Sequence, residues 1–92
     1  MNRNYHTARI NLGITLNEMG NYSEAVSEFE SIQETPAIKT NPEALIAYGT
    51  ALRNVEDYKL SSHQFEQALL INPRHSQAHN GLGIVYSKLA RY

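Results

Sequence analysis

One period runs through this chain and restricts what it can fold into. Ala8-x3-Leu12-Gly13, Ala44-x3-Tyr48-Gly49 and Ala78-x3-Leu82-Gly83 place three glycines 36 and then 34 residues apart. Nine residues after each glycine stands a tyrosine (Tyr22, Tyr58, Tyr92), and sixteen after the first two stands a phenylalanine (Phe29, Phe65). Several residue classes recurring in phase are the mark of a repeat protein. In such a protein each unit buries its apolar face against its neighbours.

Within a unit the apolar spacing is helical. Ala44, Tyr48, Ala51, Leu52 and Val55 form one stripe at i, i+4, i+7, i+8 and i+11, and Leu60, Phe65, Ala68, Leu69 and Ile71 make a second, weaker one. Asn41 before Pro42 and Glu43 is a start signal, combining a cap, a proline whose missing N–H costs nothing there, and an acid in the first turn. Asn21 and Glu24 have capping-box spacing, and Pro36 and Pro73 are read as closing the second helix of each pair. The expected helices span about 5–19, 22–35, 42–55, 58–71 and 76–90. A periodic glycine inside a helix needs a benefit, since it costs roughly 1 kcal/mol against alanine. Gly13, Gly49 and Gly83 are expected to let the partner helix approach, against the small residues Ala25 and Ser61 on the first two.

These residues resemble the tetratricopeptide repeat, a 34-residue helical hairpin. Pro42 to His75 supplies Tyr48-Gly49, Leu52, Tyr58, Phe65, Ala68 and Pro73. His6 to Asn41 supplies Leu12-Gly13, Leu16, Gly20, Tyr22, Ala25 and Phe29, with two extra residues between Pro36 and Asn41. A partial third unit from Ser76 to Tyr92 supplies Ala78, Leu82-Gly83 and Tyr86. Ser61, Ser62 and Ile32 depart from the family pattern. The resemblance covers nearly all of residues 1–92 as a single domain (units 6–41, 42–75 and 76–92). It implies an all-α, right-handed solenoid of about two and a half hairpins and five helices. It also implies a non-catalytic scaffold whose concave wall, built from the first helix of each pair, holds a peptide or partner protein.

On that implication the wall carries Thr7, Ile10, Ile14, Asn17 and Glu18, then Glu43, Ile46, Thr50, Arg53 and Asn54, then Gln77, Asn80, Ile84, Ser87 and Lys88. Ile10, Ile14, Ile46 and Ile84 would form an aliphatic line, and Arg53 and Lys88 would offer charge to an acidic ligand group. The carboxylate clamp of the chaperone-binding subfamily is missing, because its places hold Ile10, Ile14, Ala47, Gln77 and Gly81.

Other chemistries find little support in the residues. Net charge is −1, from eight basic and nine acidic residues, which leaves no electrostatic footprint for nucleic acid or an anionic membrane. There is no cysteine, and the longest apolar runs fall far short of a membrane span. The polar start of the chain lacks a signal core, so a soluble, cytoplasmic protein is expected. His75 and His79 have helical metal-ligand spacing but no completing ligand. No nucleophile triad, phosphate loop or carboxylate pair stands out, and Gly81-x-Gly83 lies within a helical pattern. No cofactor is expected. Two alternatives to the peptide-binding scaffold remain. One is a self-assembling unit that associates through a stripe of Leu82, Val85, Tyr86 and Leu89 on the last helix. The other is the docking arm of a larger protein.

Overall fold

The computed structural model describes residues 3–91. They form six helices: α1 (Arg3–Glu18), α2 (Tyr22–Glu30), α3 (Pro36–Lys39), α4 (Pro42–Asn54), α5 (Tyr58–Ile71) and α6 (Ser76–Leu89), with no strand among the described residues. The short links between α1 and α2 and between α4 and α5 force each pair to fold back as a hairpin. α1, α4 and α6 touch in that order as one layer, while α2 packs against α1 and α4, and α5 against α4 and α6. This is the expected helical solenoid.

Six helices replace the expected five, and the extra one comes from the two-residue excess of the first unit. α2 ends at Glu30 instead of running to residue 35. After a turn, Thr35 is extended and Pro36 opens α3 at its first position, where a missing N–H is harmless. Pro36 therefore starts a helix; it does not close one. Thr35 Oγ1 donates to the Ile32 carbonyl at 2.7 Å, and Ile38, 1% exposed, anchors the turn in the core. α3 packs against both α1 and α4.

The two hairpin turns are the same motif made with different residues. Gly20 (φ 81°) and Glu56 (φ 67°) both take the left-handed conformation. Asn21 N–H donates to the Leu16 carbonyl at 2.8 Å, and Asp57 N–H to that of Leu52 at 2.9 Å, the long bond of a Schellman cap. Of the two caps expected from the sequence, Asn41 forms and Asn21 does not. Asn41 and Asp57 accept from Ala44 and Leu60 N–H, whereas the Asn21 side chain makes no cap hydrogen bond.

The core is aromatic at its centre. Phe29, Tyr48 and Phe65 are fully buried, and Phe29 meets Tyr48 at 5.5 Å between ring centroids. Rings of this kind contribute about 1.5–3 kcal/mol each by burial. Tyr48 donates its hydroxyl to Gln33 Oε1 at 3.3 Å.

The glycines explain how the rings fit. A Cβ added to Gly13 would lie 2.5 Å from Phe29 Cζ, and one added to Gly49 would lie 3.0 Å from Phe65 Cζ. These two do permit the helix approach expected of them. Gly83 does not, since nothing lies within 4 Å of its Cβ position. The close contact on α6 belongs to Gly81, whose Cβ would stand 2.5 Å from Phe65 Cζ, so that ring is held between α4 and α6. The third phased tyrosine, Tyr92, lies outside the described residues.

Candidate functional site

The layer of α1, α4 and α6 brings the expected wall residues onto successive helices, but it does not expose all of them. Ile10 and Ile46 are 6% and 8% exposed and belong to the core. Ile14 is half-buried against that core, and only Ile84, 39% exposed, presents an aliphatic surface. The continuous aliphatic line is therefore overturned. The helices of this layer approach each other closely enough to enclose the side chains nearest their contact lines.

What remains on the wall is polar. Asn17 spans the layer, donating from Nδ2 to the Ala47 carbonyl at 2.8 Å, and its buried Oδ1 is left without a donor. Thr50 Oγ1 returns to the Ile46 carbonyl and Asn54 Nδ2 to that of Thr50, both at 2.8 Å. Thr50 thus commits its hydroxyl proton locally. Glu43 is held by His75, Nε2 to Oε1 at 3.0 Å. Arg53, half-buried, and Lys88, exposed, have no ion pair among the described residues. Both are available to an acidic group. Thr7, Glu18, Gln77, Asn80 and Ser87 are exposed.

The wall ends in an open depression of about 410 Å³ on α6, lined by His79, Asn80, Gly83, Ile84, Ser87, Lys88 and Arg91. Three expected wall residues, Asn80, Ile84 and Lys88, meet there. His79, Gly83 and Arg91 were not among the expected site residues. Gly83 carried the signal, since it stands in phase with Gly13 and Gly49 while no aromatic answers it among the described residues.

The expected association stripe needs correcting. Val85 is fully buried, and with Ala78 and Gly81 it forms the face of α6 turned inward. Leu82 and Leu89 are partly buried against the core. Tyr86 alone of the four is largely exposed, at 48%, and its hydroxyl hydrogen-bonds to Glu66 on α5. The spacing 78, 81, 85 selects the inner face, and a helix cannot turn Val85 both inward and outward.

His75 and His79 do not converge. His75 Nε2 faces Glu43, while His79 Nε2 lies 2.7 Å from the Pro73 carbonyl. No helix among the described residues is long and apolar enough to cross a membrane. Among curated proteins, none matches the chain. Residues 42–75, which are α4, α5 and the turn that follows, match the family model described as tetratricopeptide repeat. Tetratricopeptide repeats are in general non-catalytic modules for protein–protein interaction. Residues 42–75 are thus similar to the tetratricopeptide repeat, and the α1–α2 hairpin before them folds back in the same way.

Proposed function

We propose that this protein is a scaffold that binds a peptide or partner protein along the wall of α1, α4 and α6. The observation that carries the reading is that Arg53 and Lys88 have no ion pair among the described residues, on a wall where Glu43, Thr50 and Asn54 are engaged by other groups of the chain. A charged group without a partner offers a ligand carboxylate more than a solvated pair does. Ile84 and Asn80 between them supply an apolar contact and an amide, so the surface suits an extended or helical segment with mixed polarity.

A random-peptide display library selected against the protein tests this. Selected peptides should weaken when Arg53→Ala, Lys88→Ala or Ile84→Asp is introduced, with helical content unchanged. Peptides indifferent to all three variants would sink the reading. Self-association, the alternative, keeps Tyr86 and the flanks of Leu82 and Leu89 as its surface. Light scattering over a concentration range separates it from ligand binding.

A further inference from the structure

The stretch that lengthens the first unit forms one bank of a second cavity. α3 packs against α1 and α4, and a cleft of about 410 Å³ lies between it and α5. One stripe of α5 makes the far bank, where Leu60, His63, Gln64 and Gln67 recur at i, i+3, i+4 and i+7. Gln33 and Glu34 face them from the turn before α3, and Lys39 from α3 itself. Leu45 of α4, 3% exposed, and the half-buried Leu60 supply the apolar part of the lining. None of these residues belongs to the wall of α1, α4 and α6.

The polar groups of the cleft are incompletely matched. Gln64 is 7% exposed, and its side chain makes no hydrogen bond among the described residues. A buried carboxamide left unpaired is disfavoured, and a group entering the cleft can satisfy it. Gln33 accepts at Oε1 from the Tyr48 hydroxyl at 3.3 Å, so its NH₂ is what it offers to a ligand. Charge, by contrast, is matched, because Lys39 pairs with Glu34 at 2.8 Å. An anion entering here meets the Glu34 carboxylate, and a cation meets the Lys39 ammonium. The lining therefore suits an uncharged group that accepts and donates on neighbouring atoms.

We propose that this cleft binds a primary carboxamide carried on a short aliphatic stem, as in the side chain of glutamine. The stem lies on Leu45 and Leu60, the carboxamide oxygen accepts from Gln33, and its NH₂ donates to Gln64 Oε1. Gln67, one turn beyond Gln64, extends the amide surface. A small pocket of mixed apolar and amide lining is the ordinary form of a site for such a ligand.

The probes are N-acetyl-glutamine N-methylamide and free glutamine, titrated into the isotope-labelled protein and followed by heteronuclear NMR. The side-chain NH₂ signals of Gln33, Gln64 and Gln67 should shift and saturate. A ligand with so few atoms should show a dissociation constant of the order of millimolar. N-acetyl-leucine N-methylamide keeps the main-chain groups and lacks the carboxamide, so it should bind about fivefold more weakly or worse. Gln64→Met keeps length and removes the amide, and should weaken the glutamine probe by a similar factor. Should that variant lose its circular dichroism, the comparison of glutamine with leucine probes on the wild type decides. Tighter binding of the capped probe would support the proposal with a protein side chain as the source, and tighter binding of free glutamine would support it with a small metabolite. No saturable shift up to about 50 mM would overturn it. So would equal binding of the leucine probe, or binding by a folded Gln64→Met that matches the wild type. Shifts confined to Thr50, Arg53 and Lys88 would leave the wall reading standing and remove this one.

Discussion

The Ser61 hydroxyl donates to the Gly49 carbonyl at 2.6 Å, across the contact between α4 and α5 and with both residues buried. The glycine lets Phe65 and the serine come close, and the serine ties the two backbones together. A small polar residue thus does at 61 what packing alone does at Ala25.

Ser61→Ala keeps the close approach and removes the hydroxyl. The expected loss is about 1 kcal/mol, the usual net worth of a buried hydrogen bond. Urea denaturation should show a lower midpoint with an unchanged slope. An unaltered midpoint would mean that the bond contributes nothing beyond contact.

The glycines make a graded test of the packing. Gly13→Ala and Gly81→Ala place a methyl 2.5 Å from a buried ring and should destabilise by roughly 1–3 kcal/mol. Gly49→Ala, at 3.0 Å, asks a smaller shift of the Phe65 ring and should cost less, whereas Gly49→Leu should cost several kcal/mol. Gly83→Ala meets open space, so helix propensity alone acts and the variant should gain up to about 1 kcal/mol. Thermal melts of the four alanine variants check the order. A destabilising Gly83→Ala would contradict the open face of α6.

Much of this fold was legible because the repeat fixes both phase and residue class. Phe29, Phe65 and Tyr48 sit where the period put them, and so do the starts of α4 and α5. The miss at α3 arose because a proline ends one helix or begins the next, and only the burial of Ile38 decides which. The misplaced site residues share one cause. Ile10, Ile46 and Val85 lie on stripes that a sequence marks as apolar without saying which neighbour covers them. Ile46, at 8% exposed, shows the consequence. Its change to aspartate would bury a charge and unfold the chain before it reported on any ligand.

Glu56 occupies, with φ 67°, the place that Gly20 holds in the first hairpin. A side chain in that conformation carries a strain of order 1–2 kcal/mol that glycine does not. Because Glu56 is exposed and makes no ion pair among the described residues, Glu56→Gly sacrifices little in return. The greater freedom of glycine in the unfolded chain offsets part of the gain. A net stabilisation of about 0.5–1 kcal/mol is expected, read as a higher melting temperature. A lower one would mean that the turn is held by the glutamate itself.

The last prediction concerns alkaline pH. Burial pushes the Tyr48 hydroxyl up to about 12 from its usual value near 10, with the Glu30 and Asp57 carboxylates adding to the shift. The folded chain therefore holds this proton where the unfolded chain has lost it. Stability from this group is complete below pH 10, falls as the pH rises towards 12, and levels off above that. The loss is of the order of 2–3 kcal/mol, at the upper end of what a marginally stable domain tolerates. Other tyrosines and the lysines also titrate in this window, so Tyr48→Phe is the control. It removes the hydroxyl that meets Gln33 Oε1 at 3.3 Å, a long bond whose loss should cost less than 1 kcal/mol at neutral pH. Wild type and variant should lie close together at pH 8, and the wild type should fall behind progressively from pH 10 to 12. Urea midpoints at each pH give the difference. Parallel curves across that range would mean that Tyr48 ionises as freely in the folded chain as in the unfolded one.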